Sequence, residues 1–277
     1  MKHHNNFRTS LILFAALLLC PLCSQAQTMR GDINMDGTVG MDDLTAMINA
    51  LVFDTYGEPS LEDRDTVTVN GVPFVMVRVH GGTYSRDALD NNIHEVETFS
   101  IGLTEVTVAQ WLSVMDYLPN GNGSGPSQYP VVRVSWNQCQ EFISKLNAAT
   151  GLNFRLPNLI EWEYAATGGN LTRVYRYAGS NNLDEVGWYI DNSGESPIHL
   201  VGQLKPNELG LYDMSGNVSE WCQDEIGAMN EPRHGVRGGN GFDTEELCRT
   251  MTWPSRVNNT VGTEDDVLTF SGLRLAL

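Results

Sequence analysis

Apolar positions change rhythm several times along the chain, and each change predicts an element. After a basic start, Leu11 to Leu22 is an apolar stretch too short to span a bilayer as a permanent anchor. Leu44, Met47, Ile48 and Leu51 then recur at helical spacing behind a run of Asp, Asn and Gly. Asp54 to Asn70 carries Gly57, Pro59 and several acids with little apolar periodicity, and it reads as a linker. Val72 to Val79 reads as a strand leading into a Gly81-Gly82 turn. Val108, Trp111, Leu112 and Met115 predict an amphipathic helix from Thr107 to Tyr117, entered by a threonine cap. A second helix, Asn137 to Ala149, puts Cys139, Phe142, Ile143 and Leu146 on one face and stops at Gly151. A third covers Asn158 to Thr167, with Trp162 and Tyr164 turned inward. Elsewhere Gly, Asn and short apolar runs predict loops and short strands, with Trp136, Trp188 and Trp221 as core residues.

The first residues carry the marks of an export signal: Lys2 and Arg8, the apolar stretch, and small residues at Ser24-Gln25-Ala26. The chain is therefore expected to divide into a signal peptide (1–26), a loop and helix (27–54), a linker (55–70) and one main domain (71–277). Cys20 and Cys23 follow Leu19 and Leu22, where lipid attachment wants a small residue, so a soluble periplasmic, cell-surface or extracellular protein is expected, with no transmembrane segment after signal removal. Removing residues 1–26 takes away two cations and no acid, so a formal charge of -17 becomes -19. That balance excludes nucleic acid, whose phosphates need clustered Lys and Arg.

Behind the signal, Asp32, Asn34 and Asp36 alternate, Gly37 follows, and Asp43 closes a loop ahead of the helix. Oxygens at loop positions one, three, five and twelve, with glycine at six for the sharp turn, are what calcium requires. Asp32, Asn34, Asp36 and Asp43 would bind through side chains and Thr38 through its carbonyl. An aspartate at the twelfth position resembles one repeat of a type I dockerin, which carries two repeats and docks onto cohesins; no second copy is found here.

Further on, Val79 to Tyr84 (VHGGTY), Thr104 to Thr107 (TEVT), Val134 to Asn137 (VSWN), Arg155 to Ala166 (RLPNLIEWEYAA), Asn207 to Asp224 (NELGLYDMSGNVSEWCQD), Arg237 to Asn240 (RGGN) and Gly272 to Leu277 (GLRLAL) follow in order. Together they resemble the formylglycine-generating enzyme (sulfatase-modifying factor) family over Gly71 to Leu277. The resemblance implies an α+β, loop-rich formylglycine-generating-enzyme fold, a variant of the C-type-lectin-like fold, here with a short N-terminal helical calcium-loop segment. It also implies a copper centre, in which two cysteines lying six and eleven residues beyond the arginine of the Arg-Gly-Gly turn hold Cu(I). Counted from Arg237, the second is Cys248, but the first is Asp243. Soft thiolates select Cu(I) and a carboxylate does not, so copper is not expected. Asn240 replaces the serine usual after Arg-Gly-Gly, and Ser219 replaces the tryptophan of Gly-Asn-Val-Trp-Glu-Trp.

By the same resemblance an ion would sit under the Gly-Asn turn, held by the carboxylates of Asp213 and Glu220 and the carbonyls of Gly216 and Val218. The alternative is that Asp213 caps the Met214-Ser215 turn and Glu220 pairs with Arg237 or Arg274. A second ion between Asp184 and Asn192 has no assignable ligands. Cys222 and Cys248 each follow a family motif running to the same end of the domain and are expected to form a disulfide, leaving Cys139 buried and free. The function expected is a calcium-stabilised binding or accessory protein for a peptide, glycan or protein ligand, with a cohesin-type partner also considered. The alternative is an oxidoreductase that converts a sulfatase cysteine to formylglycine.

Overall fold

The protein is described by a computed structural model covering residues 63–85, 93–119, 127–173, 175–226, 233–251 and 260–277. Chain contacts divide the protein into 1–56 and 57–277, and every described residue belongs to the second unit. The signal peptide and the Asp32–Asp43 loop lie outside the described residues.

The domain opens with β1 (Arg64–Val69) and β2 (Val72–Val79), paired antiparallel with Val69 opposite Val72. The connection is Asn70-Gly71, both at positive φ (50° and 84°), the two-residue turn whose twist matches that of the flanking strands. This corrects the linker reading, since Arg64 to Asn70 is strand and turn. β1 is an edge strand whose polar Asp65, Thr66 and Thr68 are half-exposed or exposed, so its apolar content is only Val67 and Val69 and its periodicity is faint. β5 (Phe99–Gly102) completes the sheet on the other side of β2, and β3 (Gly82–Tyr84) pairs with β4 (His94–Val96).

The three predicted helices are present. α1 (Val108–Val114), α2 (Trp136–Thr150) and α3 (Leu159–Ala166) start at Thr107, Ser135 and Asn158. Each start is a capping box, in which the cap side chain accepts from the third helical N–H and the third side chain returns the bond. α2 ends on Gly151 at φ 71°. The remaining named strands, β6 (Ser219–Glu225), β7 (Arg233–Arg237), β8 (Thr260–Thr263) and β9 (Ser271–Leu273), form a sheet in the order β8-β7-β6-β9, with β6 and β9 parallel.

One core cluster gathers Trp111, Cys139, Phe142, Leu146 and Trp221 between α1, α2 and the sheets. A second packs Val77, Val79, Ile101, Trp162, Tyr164, Met214 and Cys222 around α3. A small third cluster, Tyr177, Leu183, Val186, Tyr189 and Cys248, lies among the loops. Trp221 is fully buried as expected, whereas Trp136 and Trp188 are half-buried and stack on His234 and His199. No described helix is long and apolar enough to cross a membrane.

Candidate functional site

β6 and β7 place Glu220 opposite Arg237, and β9 brings Gly272 and then Arg274 to the other side of β6. The turn leading into β6 is tightly built. Asp213 and Asn217 hold positive φ (58° and 56°), and a Cβ at Gly216 would lie 2.1 Å from the Trp188 carbonyl. Gly216 N–H donates to the Gly238 carbonyl (2.8 Å) and Gly241 N–H to that of Asn217 (3.0 Å), so the Gly-Asn and Arg-Gly-Gly turns are stitched together.

At their junction stand Ser219, Asn240 and Asp243. Asp243 Oδ2 accepts from the Asn240 backbone N–H (3.0 Å) and from Asn240 Nδ2 (2.7 Å), and Asn240 Nδ2 also reaches Ser219 Oγ (3.3 Å). Phe242 N–H occupies Asn240 Oδ1 (3.0 Å). The three unusual residues thus form one hydrogen-bonded set. Cys248 lies beneath Gly239, fully buried, and its thiol is pushed up first by burial and then by the charge of Asp243. Burial also raises the Asp243 carboxyl. Aspartate at this position therefore removes one thiolate ligand and disfavours ionisation of the other, and Cu(I) does not fit the residues present.

The expected disulfide is corrected: Cys139, Cys222 and Cys248 are all free. Cys222 packs on the α3 side among Trp162 and Met214, and Cys248 packs among Tyr177, Leu183 and Tyr189. The two motifs run to one end of the domain, but their thiols point into different clusters.

Below this junction lies a set of buried charges. Glu220 takes three contacts from Arg274, from Nε to both oxygens (3.0 Å each) and from NH2 to Oε1 (2.7 Å), and a bond from Trp162 Nε1 (2.6 Å). Arg274 also donates to the carbonyls of Gly102 (2.9 Å) and Tyr212 (2.8 Å). Arg237 Nε pairs with Glu163 Oε1 (3.0 Å), whose other oxygen accepts from Tyr84 (3.2 Å). Asp213 Oδ2 accepts from Gly202 N–H (2.7 Å) and Glu105 Oε1 from Asn217 Nδ2 (3.1 Å), but Asp213 Oδ1 and Glu105 Oε2 have no hydrogen-bond partner. Burial pushes Asp213 up to about 6 and Glu105 well above its ordinary range, with Asp213 as the next cause at Glu105.

Of the expected ion ligands, Glu220 is therefore committed to Arg274 and Trp162, as the alternative reading had it. Asp213 keeps one oxygen without a partner, and so does Glu105, to which the sequence reading assigned no role. Among the described residues no group of three or more His, Cys, Asp or Glu is arranged to hold a metal ion. Further up, Asp184 Oδ1 accepts from Tyr189 (3.0 Å) and Asn192 Nδ2 donates to the Gly187 carbonyl (2.9 Å), so those side chains brace their own loop. Glu163 and Asn217, for which no role was expected, join this network, and Trp162, expected only to face inward, donates to Glu220. The available signal was an ionisable residue inside an apolar run, as in Leu-Ile-Glu-Trp-Glu-Tyr, which calls for a buried partner.

Among known proteins, the chain is similar to a chaperone protein LppX of Paenibacillus barcinonensis, 34% identical over 65% of this chain and 83% of that one. It is also similar to an inactive C-alpha-formylglycine-generating enzyme 2 of Bos taurus, 31% identical over 55% of this chain and 53% of that protein. With a formylglycine-generating enzyme of Thermomonospora curvata it shares 38% identity over 38% of each chain. It therefore spans most of the chaperone's length but about half or less of the two others. A solved structure, the Treponema denticola variable protein 1, superposes with a TM-score of 0.67 at 28% identity, covering 77% of this chain and 98% of that one. Residues 62–277 match the sulfatase-modifying factor enzyme 1-like domain, and the chain belongs to that family.

Proposed function

We propose that the chain is an exported, cation-stabilised binding or accessory protein that does not oxidise cysteine. The observation that carries this reading is the Asp243–Asn240–Ser219 hydrogen-bonded set beside the buried Cys248 thiol. A copper centre needs two thiolates in one place, and this loop offers a carboxylate and a buried thiol. The resemblance to proteins named a chaperone and an inactive enzyme supports a role without catalysis. Export rests on the N-terminal apolar stretch and its flanks.

Calcium is proposed at two places. One is the Asp32–Asp43 loop, whose ligand spacing is its support and which could also serve docking to a cohesin-type partner. The other is the Asp213 cluster, where the charge of Arg274 bears on both Glu105 and Asp213 and each keeps one buried oxygen without a hydrogen-bond partner. There Glu105 rather than Glu220 would supply the second carboxylate. Cu(I) titration against a chromophoric chelator tests the central point. The protein should leave the chelator's copper untouched, and the Asp243→Cys variant should withdraw little of it. Stoichiometric capture by the wild type would restore the oxidoreductase alternative.

A further inference from the structure

We propose that Asn70 is a site of spontaneous covalent modification, at which the side-chain amide is lost through a cyclic imide to give Asp or isoaspartate. The claim stands apart from the binding-protein reading. An Asn followed by Gly is open to this chemistry because the glycine nitrogen carries no neighbouring side chain to obstruct its approach to the Asn amide carbon. Two such pairs fall among the described residues, Asn70-Gly71 and Asn240-Gly241, and the fold treats them oppositely. Asn70 and Gly71 are both exposed, at the end of the hairpin that β1, an edge strand, forms with β2. Nothing lies within 4 Å of where a Cβ on Gly71 would be, and no described residue accepts from its N–H. A single bond restrains the Asn70 side chain, from Nδ2 to the Ser113 carbonyl (2.7 Å). At the other pair Gly241 is buried, its N–H donates to the Asn217 carbonyl (3.0 Å), and a Cβ there would collide with the Pro197 carbonyl. The Asn240 amide is held at both ends, Nδ2 by Asp243 and Ser219 and Oδ1 by the Phe242 N–H.

The Gly71 nitrogen gives its proton to base in the solvent and bonds to Asn70 Cγ, the Cγ–Nδ2 bond breaks, and ammonia leaves. Water then opens the ring, at the Cγ carbonyl to give Asp or at the main-chain carbonyl to give isoaspartate. Water is consumed, ammonia is released, and no oxidant or enzyme takes part. The attack needs the turn to open locally, so the free energy of that opening sets the rate. Opening at Asn70 disturbs only a hairpin end and one side-chain bond, whereas opening at Asn240 would break the stitch between the Gly-Asn and Arg-Gly-Gly turns. Either product removes the donor from the Ser113 carbonyl and adds a negative charge. Isoaspartate also lengthens the main chain by a carbon, which a two-residue turn with Val69 opposite Val72 does not absorb. Because Val69 belongs to the first core cluster and Ser113 to α1, modification loosens the attachment of the hairpin to the helix.

The test is peptide mapping by mass spectrometry on the full chain after prolonged warm incubation at neutral and at mildly alkaline pH, with isoaspartate resolved chromatographically from Asp. Trypsin, cutting after Arg64, Arg78, Arg237 and Arg249, puts the two sites in separate peptides, 65–78 and 238–249. Asn120-Gly121 and Asn122-Gly123, outside the described residues, fall in neither. In the native protein the Asn70 peptide should convert at least about tenfold faster than the Asn240 peptide, and faster at the higher pH, because the attacking nitrogen must lose its proton. In concentrated urea both turns are open, and the two rates should converge to within about threefold. An Asn70 peptide that stays unmodified, equal conversion at the two sites in native protein, or a difference that persists in urea would overturn the proposal.

Discussion

Replacing Arg274 with methionine is the sharpest test of how the centre of the domain is held. Arg274 is fully buried, faces fully buried Glu220 across three contacts, and ties the carbonyls of Gly102 and Tyr212 into the same knot. It also lowers the carboxyl pKa values of Glu105 and Asp213. Methionine fills much of the stem's volume, so the loss is chiefly electrostatic. Leaving a buried carboxylate without its partner costs about 3–5 kcal/mol, and two carbonyls without donors add about 1 kcal/mol each. Trp162 still donates to Glu220 and that carboxyl can take up a proton, which offsets part of the loss. A net loss of about 4 kcal/mol lowers the melting temperature of a domain this size by roughly 10 °C. Adding Glu220→Gln removes the stranded charge and should recover about half of that. Thermal and urea melts of wild type, Arg274→Met and the double variant measure both steps. A loss below about 1 kcal/mol, or a double variant no more stable than the single one, would refute the reasoning.

Three more outcomes follow from the same geometry. In chelator, a folded-state value near 6 for Asp213, against an ordinary value of about 3.9, means that the native protein holds a proton the unfolded chain has lost. That contribution is fully present below about pH 4 and disappears as pH rises through 6, on the order of 3 kcal/mol. Saturating calcium should abolish the decline, and coincident urea-melt series with and without calcium would remove the cation from Asp213. Native protein should resist alkylation at Cys139, Cys222 and Cys248 and show the same mass reduced or unreduced, because all three thiols are buried and free; a mass difference of two hydrogens between those residues would restore the disulfide. Asp243→Cys should yield no aldehyde, since Asn240 and Ser219 still alter the pocket, and turnover by that variant would mark a pocket otherwise intact.

The helices were legible because each carries its signals locally: Thr107, Ser135 and Asn158 cap apolar runs at helical spacing, and Gly151 ends the longest. β1 was not, although Asn70-Gly71 is a strong turn pair, because an edge strand with half-exposed or exposed Asp65, Thr66 and Thr68 shows little apolar contrast. The altered positions Ser219, Asn240 and Asp243 could be found by counting from Arg237, but not their mutual hydrogen bonds. Cys222 and Cys248 misled because nearness in the order of motifs says nothing about which cluster a side chain enters. Glu220 illustrates the same limit. Its spacing from Asp213 suits an ion, yet Arg274, far along the chain, claims it through the parallel pairing of β6 with β9. Long-range partners of buried charges are set by topology, which a linear pattern does not carry.

The most direct measurement is mass spectrometry of a cysteine-containing sulfatase peptide incubated with the purified protein, Cu(I) and oxygen. With Asp243 in place of a second thiol and Cys248 buried, the peptide should be recovered with its thiol intact and no aldehyde formed. Conversion of that cysteine to formylglycine by the wild-type chain, at turnover beyond one per protein, would contradict the account.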